Sequence, residues 1–321
     1  MDQKHFRGLR PLVACFGIAC FVAPALGAQG RGGQSGNLRT ASDAMRAGKT
    51  ADALAAVREE LKANPASTQA ASMLDTLGAT TEARAVFQKA IDAASAPADK
   101  AAAQRGMAMS YAFDGDCNNT VKYEEMVIGY WKTREQAEPQ NAFYQEGEMA
   151  NEAARVCIDN GQLDTAEHWY REGARMGLME PGNQTHPKSL WDFRLAHALG
   201  RLAARRGNKV EAQKQIAEAK KALDSDPKMA ADQERFFPYL TGYVALYAND
   251  LKTAETELTK AVGLQGNQND PFMHCLLGMT YEKVGQADKA KAEYQRAYDN
   301  ATQHNPPGAF VRPFTKKKLG A

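Results

Sequence analysis

One spacing recurs along this chain and limits what it can fold into. In "LLGMTYEKVGQADKAKAEYQRA" (276–297) a small residue, Gly278, is followed by Gly285 at seven positions, Ala290 at twelve and Tyr294 at sixteen. The residue at the twelfth position recurs at 53, 83, 120, 166, 212, 254 and 290, at intervals of 30, 37, 46, 46, 42 and 36 residues. Small residues at a crossing let two helices approach closely, and larger ones at intervals of three and four make the apolar stripe between them. A glycine seven residues after the crossing ends the first helix, because it takes the left-handed conformation without penalty. One such pair cannot bury its apolar face alone, so the pairs must stack on one another. Alanine dominates the apolar residues and β-branched residues are sparse, which favours helices over strands.

The units are not equally regular. Ala41, Ala71, Ala154, Gly200 and Gly242 open the other well-formed ones, whereas the third has Thr120 and Glu124 where small and aromatic residues are usual. Three stretches rich in proline, glycine and polar residues account for the longer intervals: 133–140, 177–190 and 224–235, the last with room for a helical turn after Pro227. The whole pattern resembles the tetratricopeptide repeat, whose period is about 34 residues. Leu277, Gly278, Tyr281, Ala290 and Tyr294 agree with that family's pattern, and His274 stands where it often has tryptophan. The resemblance covers roughly residues 35–302 and implies an all-α, right-handed solenoid of about seven helix-turn-helix pairs. We assign the repeat domain to 37–302 and expect an irregular tail over 303–321, with Phe310 and Phe314 folding back on the last helix as a cap.

The first residues are read separately. Lys4, Arg7 and Arg10 precede the apolar run "PLVACFGIACFVAPALGA" (11–28), which reads as a secretory signal peptide cut after Ala28. The competing reading is an uncleaved anchor, against which Pro24 and the flexible glycine-rich linker over 29–36 argue. Cys15 and Cys20 resemble lipobox cysteines, with lipidation the less favoured outcome. The chain is therefore expected to be exported, periplasmic or secreted, without membrane insertion once the signal is cut. Loss of 1–28 takes the charge count from 40 basic and 38 acidic residues to 37 of each. A neutral chain gives no electrostatic reason to bind nucleic acid or an anionic membrane. The run Lys316–Lys318 reads as a solvated end.

Three cysteines lie beyond the signal, none in C-x-x-C spacing. Cys117 begins the second helix of its pair and Cys157 nears the end of the following first helix; antiparallel neighbours bring those ends together. A Cys117–Cys157 disulfide is the expectation, leaving Cys275 as a buried thiol.

Catalytic signatures are missing from the sequence: no H-E-x-x-H, G-x-S-x-G, Walker loop, G-x-G-x-x-G or EF-hand loop occurs. His274-Cys275 are adjacent on a helix and point about 100° apart. Glu124-Glu125 and Glu146/Glu148 read as solvated helix faces. No enzyme, cofactor or metal site is expected. What remains is a binding surface, which in the family this chain resembles is the concave face lined by first helices. On 191–208, Arg194, His197, Arg201 and Arg205 form a basic stripe, and on 235–250, Phe236, Tyr239, Tyr243 and Tyr247 form an aromatic one. Neighbouring repeats would set the stripes side by side, with Arg155 and Asn151 contributed by the preceding one. Arginine offers forked bonds to carboxylates and tyrosine offers ring area with a hydroxyl, which suits an acidic segment with an apolar or aromatic anchor. The expected function is an exported scaffold that binds a protein or peptide partner in the cell envelope. The alternative is an accessory subunit of an envelope assembly, held through its convex face or termini.

Overall fold

The computed structural model describes residues 35–182 and 184–320. The signal-peptide expectation over 1–28 and the linker positions 29–34 lie outside the described residues. Among the described residues the chain is all-α, with no strand. Seven helix pairs follow one another. α1 (Gly36–Arg46) pairs with α2 (Thr50–Ala63), α3 (Thr68–Leu77) with α4 (Thr80–Ala93), and α5 (Pro97–Phe113) with α6 (Cys117–Lys132). α7 (Pro139–Asp159) pairs with α8 (Leu163–Gly177), and α9 (Lys188–Arg205) with α10 (Lys209–Ser225). A short α11 (Pro227–Gln233) and one 3-10 turn lead into α12 (Phe237–Tyr247) and its partner α13 (Leu251–Gly263). α14 (Pro271–Val284) pairs with α15 (Ala287–Asn300), and α16 (Pro306–Leu319) ends the chain.

The recurring spacing is the packing seam. Ala53, Ala83, Thr120, Ala166, Ala212 and Ala254 are fully buried and Ala290 nearly so. Thr120 holds its place by donating its hydroxyl to the carbonyls of Asp116 and, across the crossing, Ala108. That bond lets a polar residue replace the usual alanine in the third pair. Every pair turns through a left-handed residue: Gly48, Gly78, Gly115, Gly161, Gly207 and Gly285, with Asn249 at φ 62° in the sixth. Asparagine is the residue other than glycine that tolerates this region best. Cys117 and Cys157 form a disulfide between the start of α6 and the end of α7, with Cα atoms 4.9 Å apart. Cys275 is a buried thiol whose pKa burial raises.

Two boundaries differ from the sequence reading. The repeat domain starts at α1, one residue before 37, because the Ser35 hydroxyl accepts from Leu38 N–H and so caps the helix. The segment over 303–321 is not irregular: Pro306–Leu319 is helical. Asn305 caps it by accepting from Gly308 N–H, two prolines sit at its first positions, and Gly320 closes it in the left-handed region. Phe310 and Phe314 do pack against the terminal pair, at 5.5 Å from the Phe272 ring and 6.0 Å from that of Tyr294. α16 also travels further. Besides α15, which precedes it in the chain, it packs on α3, α5, α7 and α14, which are all first helices, and thereby lies across the inner face of the solenoid.

Candidate functional site

First helices α7, α9 and α12 bring Arg155, Arg201, Arg205, Tyr239, Tyr243 and Tyr247 together. The two stripes do lie side by side. The Arg201 guanidinium donates to the Tyr239 hydroxyl and to that of Tyr170, each at 3.1 Å, and Arg205 donates to Tyr243 at 3.4 Å. The Tyr243 and Tyr247 rings lie tilted against each other, 4.6 Å between centroids. The expectation that these side chains line an open groove is corrected: Arg201 is 5% exposed and Tyr243 not at all. The physical reason is mutual satisfaction. Tyr239 and Tyr243 each accept a guanidinium N–H from the preceding repeat and Tyr247 lies beneath Arg205, so the stripes close on one another instead of facing solvent. Arg205 and Tyr247, both half-buried, form the rim.

At the centre lies a residue the stripes did not reveal. Asp159 accepts from Arg155 Nε at 3.1 Å with its side chain 3% exposed. Burial raises the Asp159 pKa, against the pull of Arg155, Arg201 and Arg205. Asp159 thus faces three guanidinium groups, with the buried Asp270 carboxyl also near Arg155, so three arginines stand against two acids and the cluster keeps a positive excess. An acid four residues after Arg155 on the same helix was the available signal. His197 lies against Tyr239 at 4.9 Å between ring centroids. Burial, then Arg201 and Arg155, hold its pKa well below the usual histidine range, so the ring is neutral at pH 7. Its Nε2 has no hydrogen-bond partner among the described residues. Arg194 does not join the cluster. It pairs with Glu148 and lies over the Tyr144 and Trp191 rings, about two turns before Arg201 along α9.

The inner face is occupied. Ala309 of α16 packs with Ala112, Phe113 and Val156, while Phe310 packs on Phe272, the ring that Arg155 covers at 4.0 Å. Two polar contacts tie this segment to the far end of the solenoid. His304 Nε2 lies 2.8 Å from an Asp75 oxygen, with the imidazole stacked on Phe87 and Phe113. Arg312 Nε donates to the Thr76 carbonyl at 3.1 Å. Burial raises the Asp75 pKa, opposed by His304 and by the bond from Ser110. Between α16 and the first two pairs lies a cleft of about 360 Å³.

The expectation of solvated faces fails for two carboxyls. Glu124 is fully buried, and burial and the nearby Glu152 push its pKa well up. Glu146, also buried, is pushed up to about 7 by burial and then by Glu135. The Glu124 carboxyl is enclosed between helices, beside the Arg105–Glu152 ion pair.

A family model described as the tetratricopeptide repeat matches residues 273–304, the α14–α15 pair and the turn beyond it. Residues 273–304 thus carry a tetratricopeptide repeat, within a chain whose described residues form an all-α arrangement of helix pairs. Among solved structures, the TPR domain of P58(IPK) is similar at 13% identity, over 88% of each chain, with a TM-score of 0.32. No curated protein matches the sequence.

Proposed function

We propose that this chain is an exported repeat scaffold that holds a protein partner in the cell envelope, without chemistry of its own. The partner takes the inner face of the first helices, and α16 occupies that face until the partner displaces it. One observation carries the reading: an amphipathic helix, α16, already sits there, with Ala309, Phe310 and Phe314 against the solenoid. A partner helix of similar pattern has a ready-made seat. The positive excess around Asp159, reaching the surface at Arg205 and Tyr247, suits an acidic group at the end of that helix.

The test uses residues 29–321, either wild type or carrying His304→Ala and Arg312→Ala, with a labelled peptide of residues 305–320. The loosened chain should bind the peptide and the wild type should not. A partner captured from envelope extract by the loosened chain should compete with the peptide. A peptide that never binds, or a partner indifferent to it, sinks the groove reading.

A second reading has its own support. Met126, Met179 and Val210 are exposed at 40%, 51% and 83%, and all lie on or beside second helices, away from α16. An accessory subunit held through its convex face would use them. Val210→Asp should then release the partner while leaving peptide binding intact.

A further inference from the structure

We infer that the cleft between the C-terminal helix and the first two helix pairs binds a small polyanion, a molecule presenting two or more closely spaced negative oxygen groups. The cleft holds about 360 Å³, within the range of small-molecule sites. Thr50, Gly78 and Thr80 form one wall and Arg312, Lys316 and Lys317 the other. The basic wall makes no ion pair among the described residues, although Asp299 lies within electrostatic reach of Arg312. Arg312 gives Nε to the Thr76 carbonyl and Nη1 to that of Tyr298, both at 3.1 Å, and stacks on the Tyr298 ring. Lys316 and Lys317 are exposed and make no ion pair among the described residues.

Both acids in the lining are already engaged. Asp75 is held by Ser110 and His304 at 2.8 Å, and Asp114 by Arg84 at 2.6 Å and Thr80 at 3.0 Å. The charge left over in the cleft is therefore positive. Arg312 and Lys316 are one turn apart, where like charges repel unless an anion lies between them. Burial also lowers the Arg312 pKa, a desolvation that a bound anion would relieve. Lysines in a last helical turn commonly complement the helix dipole, and that accounts for charge at this end. It does not account for the division of the run: Lys318 pairs with Glu282 on the other side, while its two neighbours line the cleft. The inference stands apart from the partner reading, since neither Phe310 nor Phe314 lines this cleft. A ligand here would touch α16, the α3–α4 turn and the start of α2 at once, and so fasten the closure.

Calorimetric titration of residues 29–321 with pyrophosphate and, separately, with citrate tests this at ionic strength fixed by sodium chloride. At least one probe should bind saturably, with a dissociation constant below about 1 mM. Lys316→Ala with Lys317→Ala should weaken it at least about tenfold, while Lys318→Ala should leave it within about twofold. Binding of pyrophosphate alone points to a phosphorylated ligand, and of citrate alone to a polycarboxylate. The inference is overturned if neither probe binds, if the double variant keeps full affinity, or if Lys318→Ala loses as much. All three lysines are exposed, so circular dichroism should report an unchanged fold; protection of Lys316 and Lys317 from acetylation by the bound probe gives a second readout on the wild type.

Discussion

Arg201 shows how a surface-binding motif becomes structure. Its guanidinium joins two tyrosine hydroxyls from different repeats, within electrostatic reach of Asp159. Replacing it by methionine keeps the volume but removes the donor from two buried phenols, each worth about 1–3 kcal/mol when left unpaired. Arg201→Met should therefore lower unfolding stability by about 2–4 kcal/mol, read as a shift in the urea midpoint. Gly278 is a steric case. A Cβ there would come within 2.7 Å of the Tyr294 ring, so Gly278→Ala should cost about 1–3 kcal/mol in the same assay. Glu146 gives a pH-dependent one. Its carboxyl keeps a proton up to about 7 when folded but releases it near 4.5 when unfolded, so the folded state binds more protons and stability falls as pH rises through that interval. Glu146→Gln removes this penalty. Its melting temperature relative to wild type should climb between pH 4.5 and 7 and then level off; a constant offset would refute it. At this scale the sequence showed which residues meet, because their spacing places them on one face. It did not show their burial, which depends on how deeply the neighbouring repeat sits.

The helix pair was the most legible element. Its crossing residue, left-handed turn and second small residue each have a local cause, and every pair repeats them except the third, where Thr120 takes the alanine's place. Even the sixth pair, without a turn glycine, keeps the geometry through Asn249. α16 was misread because a lysine-rich end with three prolines looks irregular, although Asn305-Pro306-Pro307 is a helix start. The disulfide belongs to this scale too, since it ties the third pair to the fourth across 40 residues. Closing a loop of that length constrains the unfolded chain by about 4 kcal/mol. Cys117→Ala with Cys157→Ala should lower the melting temperature, and a reducing agent should do the same to wild type but nothing further to the variant.

At the scale of the whole molecule, the closure had no trace in the sequence. His304 meets Asp75 across 229 residues and Arg312 meets Thr76 across 236, and no periodicity encodes such pairings. Its effect is measurable. In wild type, amide exchange in α16 and in α3–α5 should slow together; with His304→Ala and Arg312→Ala both regions should exchange faster while α9 and α10 stay protected. Exchange that rises in α16 alone would mean that the far contact is incidental.

A stack of repeats ordinarily behaves like a row of dominoes, able to loosen from either end while the middle stands. This row has its last piece leaning on one of its first. Fraying at one end then removes a support from the other, and the two weakest places in the molecule become one event. Whatever lifts the C-terminal helix is felt some 230 residues away in the first pairs, without any signal having to pass along the chain between.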